Sequence, residues 1–328
     1  MRSTKGTPRM LFGAILILAS LVSVLPLASA QNYPDKPITI YCGYEAGAGT
    51  DVSIRALAKG AEKLLGVPVI VENKTGASGS VAASLIASKA PDGYTLLSND
   101  SVGPFTGRPH FVPVSYKPME DFICILQYAR MTGGICVHSD SPLKTIDDFI
   151  AHAKANPGKP SYSSAGMYSR SHIGTENFAN CKGLIFKHVP YKGGAPANTA
   201  LLGKHVDFTA GAGSHVAFVK QGLLRMLLQY SVETRDPDFP AIPMVRDLGC
   251  EDIPSNRIIV LGPRGMPDAI VKKLNETFKR VVEEPDFPEV LHRVGLNYEY
   301  RDSAQLSKLV SADYAWYKNY AQKVRGHK

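Results

Sequence analysis

Along this chain the spacing of apolar residues switches between a strand period and a helix period many times, and the order of the switches predicts the architecture. Residues 38–42 are a short apolar, β-branched run, which reads as a strand. Residues 44–49 are small and glycine-rich. After Thr50 and Asp51 the apolar positions fall at Val52, Ile54, Leu57, Ala58, Ala61, Leu64 and Leu65, a helical spacing. A strand therefore passes through a glycine loop directly into a helix. The first backbone N–H groups of such a helix have no partner within it, and the helix dipole places partial positive charge there, so a carboxylate or phosphate is welcome. The design recurs at once: strand 67–73, Gly/Ser loop 74–80, and a helix with Val81, Ala82, Leu85 and Ile86 on its apolar side. Two such loops at the carboxyl ends of neighbouring strands outline the rim of a crevice. Neither is a nucleotide signature: no Gly-Lys-Ser/Thr follows, and Gly47-Ala48-Gly49 lacks the later glycine of a dinucleotide fingerprint.

A turn at 91–93 and a strand at 94–98 complete a β-α-β-α-β half. Residues 99–120 are rich in proline and polar side chains without a period, and are expected to be irregular surface. Strands at 122–128 and 135–138 flank Gly133-Gly134, read as a hinge into a second lobe. A helix then starts at Thr145, its N-cap, with Asp148 in the capping-box position. The alternation resumes with strand 160–164, loop 165–169, helix 171–181, strand 184–189, loop 190–195, helix 196–202, strand 205–209, helix 214–221 and strand 224–230. Residues 236–254 form a proline-rich connector, 257–261 a strand returning to the first lobe, and 267–282, 285–294 and 303–323 are helices. Tyr314, Trp316, Tyr317 and Tyr320 fall on more than one face of the last helix, as packing residues do. The pattern predicts an α/β chain of two similar lobes facing one another, with 31–133 and 255–328 in lobe 1 and 134–254 in lobe 2.

The ends and the composition refine this. Arg2, Lys5 and Arg9 precede the apolar run 11–27, and Ala28-Ser29-Ala30 is a small-x-small cleavage site, so residues 1–30 are expected to be a secretory signal peptide rather than a membrane anchor, sending the chain to the periplasm. The formal charge of +8 falls to about +5 without those three residues; it suits capture of anions, but it is scattered and gives no case for nucleic acid. Cys42, Cys124, Cys136, Cys181 and Cys250 form neither a CxxC nor a Cys/His cluster, which argues against zinc; no metal and no cofactor is expected. Cys42, Cys124 and Cys136 lie in apolar runs and read as small buried hydrophobes. One disulfide is allowed by the count, its pairing open.

Several segments together resemble a known family. Tyr33-Pro34-Asp35-Lys36-Pro37-Ile38, Gly47-Ala48-Gly49-Thr50-Asp51, Val71-Glu72-Asn73-Lys74-Thr75-Gly76-Ala77-Ser78-Gly79, Ala90-Pro91-Asp92-Gly93-Tyr94-Thr95-Leu96, Tyr162-Ser163-Ser164-Ala165-Gly166 with Ser169 and His172, and Val189-Pro190-Tyr191-Lys192-Gly193-Gly194 occur in the order seen in the substrate-binding proteins of tripartite tricarboxylate transporters, the Bug receptors of Gram-negative bacteria. The resemblance implies a two-lobed periplasmic binding protein of type II, with two crossing strands at the hinge, that closes on a small carboxylate and delivers it to membrane permease subunits. It implies ligand contacts from Tyr44, Gly49, Thr50, Asp51, Ala77 and Ser78 in the first lobe and from Ser164, Ala165 and Ser169 in the second. The chain departs from the family at Glu45, at Tyr168, and at Ala200 and Gly211, where Asp is frequent. Glu45 at the rim either meets an ammonium group or points into solvent; Tyr168 either stacks on an aromatic ring or narrows the site. With both added to the site, the expected ligand is a monocarboxylate, amino-substituted or aromatic, bound by a monomer.

Two rival readings remain in the sequence. Ser164 with His172, or Asp51 with His188, can be written as nucleophile and base of a hydrolase, but no Gly-x-Ser-x-Gly elbow surrounds Ser164 and His172 reads as a structural histidine, so no enzyme is expected. A receptor that reports to a sensor kinase has the same binding chemistry as one that feeds a permease.

Overall fold

In the computed structural model, which describes residues 32–230, 235–251 and 253–325, the predicted alternation becomes eleven strands and nine α-helices among the described residues. The expected signal peptide at 1–30 lies outside them. The chain runs β1 (Ile38–Cys42), α1 (Gly49–Leu65), β2 (Val69–Asn73), α2 (Ser80–Ala87), β3 (Thr95–Asp100), β4 (Phe122–Met131), β5 (Gly133–His138), α3 (Ile146–Ala155), β6 (Ser161–Ser164) and α4 (Arg170–Lys182). It continues β7 (Lys187–Pro190), α5 (Gly194–Leu202), β8 (Phe208–Ala212), α6 (His215–Lys220), β9 (Leu224–Tyr230), β10 (Asn256–Pro263), α7 (Asp268–Val282), α8 (Asp286–Arg293), β11 (Leu296–Arg301) and α9 (Ser303–Arg325).

The strands form two mixed sheets, one in the order β11-β4-β10-β3-β1-β2 and the other β7-β6-β8-β5-β9. In the first, β1 lies parallel to β2 and β3, and β10 runs antiparallel to β3 and β4. In the second, β6 lies parallel to β7 and β8, and β5 antiparallel to β8 and β9. Each sheet is covered by helices whose apolar stripe matches their sequence spacing: α1 buries Ile54, Leu57, Ala58 and Ala61, and α3 buries Ile146, Phe149 and Ala153. The predicted capping box holds α3, with Asp148 N–H donating to Thr145 Oγ1 at 3.1 Å and Thr145 N–H to Asp148 Oδ2 at 3.0 Å.

Three expectations change. Residues 101–106 are not surface: the segment 102–106 is a buried turn closed by Thr106 N–H to Ser101 O and Gly107 N–H to Val102 O, an i→i+5 pattern with no counterpart in helix or strand periodicity. Its polar residues are buried because they bond to one another, as in Thr106 Oγ1 to Ser101 O at 3.1 Å. Gly133 and Gly134 are not a hinge turn but the first residues of β5. A Cβ on Gly134 would collide with the Leu228 carbonyl of β9, and one on Gly133 would lie 2.8 Å from Arg170 Nη1. The crossing from sheet to sheet is Thr132 alone. Its hydroxyl donates to Asp236, and Asn297 Nδ2 donates to both Thr132 Oγ1 and Asp236 Oδ2 at 3.0 Å, tying the crossing to the second connection and to β11. The third change is β11 itself, an unexpected edge strand on β4, anchored by Arg130 to Glu299 at 3.1 Å.

The disulfide joins Cys181 to Cys250, with Cα atoms 5.8 Å apart, and fixes the end of α4 to the connector. Cys42 and Cys136 are buried free thiols and Cys124 is partly buried; burial pushes Cys42 up to about 12 and Cys124 up to about 11.

Candidate ligand-binding site

The carboxyl ends of β1, β3 and β4 from one sheet and of β6 and β8 from the other meet around a cavity of about 280 Å³. This is below the roughly 300–1,000 Å³ of pockets for drug-sized ligands, so its occupant is small. Four helices start on its wall: α1 with Ala48 and Gly49, α4 with Ser169 and Arg170, α5 with Gly193 and Gly194, and the short α6 with its N-cap Ser214. Each therefore aims unpaired N–H groups at one space.

On the β1–α1 side Gly47 has φ +84, in the left-handed region that favours glycine. Asp51, in the first turn of α1, accepts hydrogen bonds from Gly47 N–H at 2.9 Å, Arg55 Nε at 2.9 Å and Asn73 Nδ2 at 2.7 Å. Its carboxylate is thus committed to shaping the loop. The neighbouring loop places Ala77 at φ 48 and Ser78 at φ 53, a backbone that costs about 1–2 kcal/mol per non-glycine residue. Asn99 braces it by donating to Gly79 O at 3.1 Å.

From the end of β3, Asp100 faces the cavity. Val102 and Gly103 N–H donate to its Oδ1 at 2.9 and 2.7 Å, and the Tyr44 hydroxyl donates to its Oδ2. Burial pushes its carboxyl up to about 6, against the opposing pull of those amides and of Arg170.

On the β6–α4 side Ser169 is the N-cap, accepting from His172 N–H and donating to Gly166 O at 2.8 Å. Arg170 follows, 5% exposed. Its Nε and Nη2 each donate at 2.8 Å, to Pro254 O and Tyr230 O. Burial lowers its affinity for the proton from the usual guanidinium value, and the nearby Arg130 and Arg257 lower it further. Asn256, at the start of β10, also lines the cavity and buries a side-chain oxygen with no hydrogen-bond partner among the described residues.

Of the residues expected from the sequence, Tyr44, Gly49, Thr50, Ser78, Ala165 and Ser169 line this cavity. Glu45, Asp51, Ala77, Ser164 and Tyr168 do not. Glu45 is exposed. Ala77 is the exposed first residue of its loop's turn, next to Ser78. Ser164 Oγ is 2.7 Å from His188 Nε2, and His188 in turn stacks between Tyr162 and His172. Burial drops His172 to about 3 and His188 to about 4, so both stay neutral. Tyr168 stacks on Phe111 with ring centroids 4.7 Å apart. Among the lining residues not expected as ligand contacts from the sequence are Asp100, Gly103, Arg170, Gly213, Ser214 and Asn256, together with Gly193 and Gly194, which were quoted only as part of a motif. The Gly193-Gly194 pair was the readable signal, a third glycine loop before a helix. Among the described residues there is no cluster of His, Cys, Asp or Glu suited to a metal ion, and no helix long and apolar enough to cross a membrane.

The chain is similar to known proteins over most of its length. A protein of Cupriavidus necator, described as a UPF0065 protein in the gbd 5' region, is 37% identical over 284 residues, covering 87% of this chain and 86% of that one. The structure of the periplasmic binding protein BugD superposes with a TM-score of 0.77 at 26% identity, over 89% of this chain and 98% of the other. An R. palustris protein with adipate superposes with a TM-score of 0.79 at 25% identity, over 88% and 97%. The tripartite tricarboxylate transporter family receptor matches residues 53–325. The chain therefore belongs to that family of solute-binding receptors, which are not enzymes, and has its two-lobed type II periplasmic binding protein fold.

Proposed function

We propose that this chain captures a small carboxylate in the cavity between its two sheets and delivers it to the permease subunits of a tripartite tricarboxylate-type transporter. The observation that carries the reading is the convergence of α1, α4 and α5, by their N-terminal ends, on one small cavity. Many neutral N–H donors hold an anion and still release it when the walls part. The R. palustris neighbour with adipate is consistent with a carboxylate. Residues 134–254 move as a unit against 31–133 and 255–328, about the Thr132 crossing and the second connection, so ligand touching both walls selects the closed form. Export by residues 1–30 delivers the mature chain to the periplasm, where it works as a monomer. Glu45 lies outside the cavity, which takes away its reason for an ammonium group in the ligand, and Tyr168 is already stacked on Phe111, which takes away its reason for a ring.

The test is thermal unfolding of the chain from residue 31 onward, against small carboxylates with sugars and amines as controls. A ligand at about 100 times its Kd adds roughly 2.7 kcal/mol, a rise of several degrees in Tm. A response confined to sugars or amines would refute the carboxylate reading.

A further inference from the structure

Three buried arginines lie near one another in this fold, and Arg170 feels the charge of the other two; they are treated differently. Arg130 pairs with Glu299 at 3.1 Å, and Arg257 pairs with Asp313. Among the described residues Arg170 has no carboxylate within ion-pair distance, and its side chain hydrogen-bonds only to the carbonyls of Pro254 and Tyr230. It is the one of the three that faces the cavity. A buried cation without a counter-ion is costly, and an anion in the cavity supplies one.

The opposite chemistry is present in the same space. Asp100 is 3% exposed, with Oδ1 filled by two amides and Oδ2 holding the Tyr44 hydroxyl, which leaves it acceptor capacity toward the cavity. Asn256 is 7% exposed, and its side-chain oxygen is buried without a donor among the described residues. Unmatched acceptors favour a ligand carrying an O–H or N–H group and penalise one that presents a second carboxylate there.

Resting on the reading of this chain as a carboxylate receptor, we propose that Arg170, Asp100 and Asn256 form a bipolar subsite selecting a small acid with one carboxylate, held by Arg170, and one hydroxyl or amino group, held by Asp100 and Asn256. The ligand class is a hydroxy- or amino-substituted monocarboxylate, in preference to a plain monocarboxylate or a dicarboxylate of equal length. The amino group suggested by the sequence at Glu45 is met inside the cavity instead.

Ligand titrations of the chain from residue 31 onward, with straight-chain acids of three to eight carbons, decide the matter. Each length is supplied as the plain acid, the hydroxy acid, the amino acid and the α,ω-dicarboxylate. The best hydroxy or amino acid is expected to bind about 10- to 100-fold more tightly than its plain and dicarboxylate counterparts. Arg170→Met loses a similar factor toward every acid, and Asp100→Asn narrows the gap between substituted and plain acids while carboxylate binding persists. Should Arg170→Met not fold, Arg170→Lys keeps the charge without the fork and is expected to lose about tenfold. Equal binding of plain acids or dicarboxylates, or unaltered affinities in both Arg170 variants, overturns the subsite and leaves the receptor reading intact. No binding by any acid in the series overturns both.

Discussion

At the start of α1 the charged residue of the first turn is neutralised within the chain, whereas at the start of α4 it is not. Both units are strand, glycine-containing loop and helix, and both open on the same cavity. Asp51 of α1 is enclosed by Gly47 N–H, Arg55 and Asn73, so its charge sets the shape of the loop. Arg170 of α4 donates only to two carbonyls; Asp100 feels its charge without forming an ion pair with it, so most of that charge is left for something not in the chain. A buried charge that is fully matched supports the fold, and one that is left unmatched marks where a ligand supplies the match.

The sharpest way to break this contrast is to remove the matched charge. Asp51→Ala strands the Asn73 amide and the Gly47 N–H together with Arg55, and three hydrogen bonds to a buried carboxylate are expected to cost about 3–4 kcal/mol. Urea unfolding of the ligand-free variant measures this from the shift of its midpoint. A loss below about 1 kcal/mol would show that Asp51 does not hold the loop.

The next effect is smaller and depends on pH. Asp100 is pushed up to about 6 from an ordinary 3.8. Tyr44 and Arg170 face it, and Tyr116 and Tyr317 sense its charge. Between those two values the folded chain keeps a proton that the unfolded chain has released. Stability contributed by this group is therefore full below 3.8, falls as pH rises, and is lost above about 6, an excursion on the order of 2–3 kcal/mol. Asp100→Asn keeps an acceptor for the amides and removes the titration. The difference in unfolding free energy between the two proteins is expected to change across that window, and parallel curves would exclude Asp100 as the group responsible.

Much of this was written in the pattern of the chain, and the omissions have physical causes. The β1–α1 and β6–α4 units were legible because a β-branched run, glycines and a helical spacing follow in order. The capping box at Thr145 and Asp148 was legible because both partners sit within one turn. Asp100 was lost because the i→i+5 turn after it has no periodic signature, so a buried acid looked like loop polarity. Arg170 was lost because a single arginine at a helix start reads as surface, and only tertiary packing against Pro254 and Tyr230 buries it. The strand β11 carries a short period-2 alternation, but it was missed because it sits between two helices with no local partner and is held at an edge by Arg130 of β4, far away in sequence.

The unmatched charge gives a prediction opposite in character to that for Asp51. Arg170→Met in ligand-free protein removes the desolvation cost of a buried cation and at the same time leaves two carbonyls without donors. These effects offset, and the net change in stability is expected to stay within about 1.5 kcal/mol. A loss as large as that of Asp51→Ala, in the same urea experiment, would mean that Arg170 is structural after all and the contrast between the loops is false.

The smallest expected effect lies where the walls touch outside the cavity. Phe111 follows the buried turn after β3, Tyr168 belongs to the β6–α4 loop, and their rings stack at 4.7 Å with an interplanar angle of 7°. Arg108 Nη1 donates to Met167 O at 3.2 Å beside them. Phe111→Leu keeps the apolar bulk and removes the stacking, at a cost of about 0.5–1 kcal/mol. Tyr168→Gly removes the same stacking but also relieves a side chain at φ 59, which returns about 1 kcal/mol, so the two nearly cancel. Thermal unfolding of the two variants is thus expected to lower Tm for Phe111→Leu and leave it almost unchanged for Tyr168→Gly. If both fall equally, the left-handed backbone at Tyr168 carries no strain, and the β6–α4 loop owes its shape to Ser169 and its bond to Gly166 rather than to a backbone held against its preference by the stack.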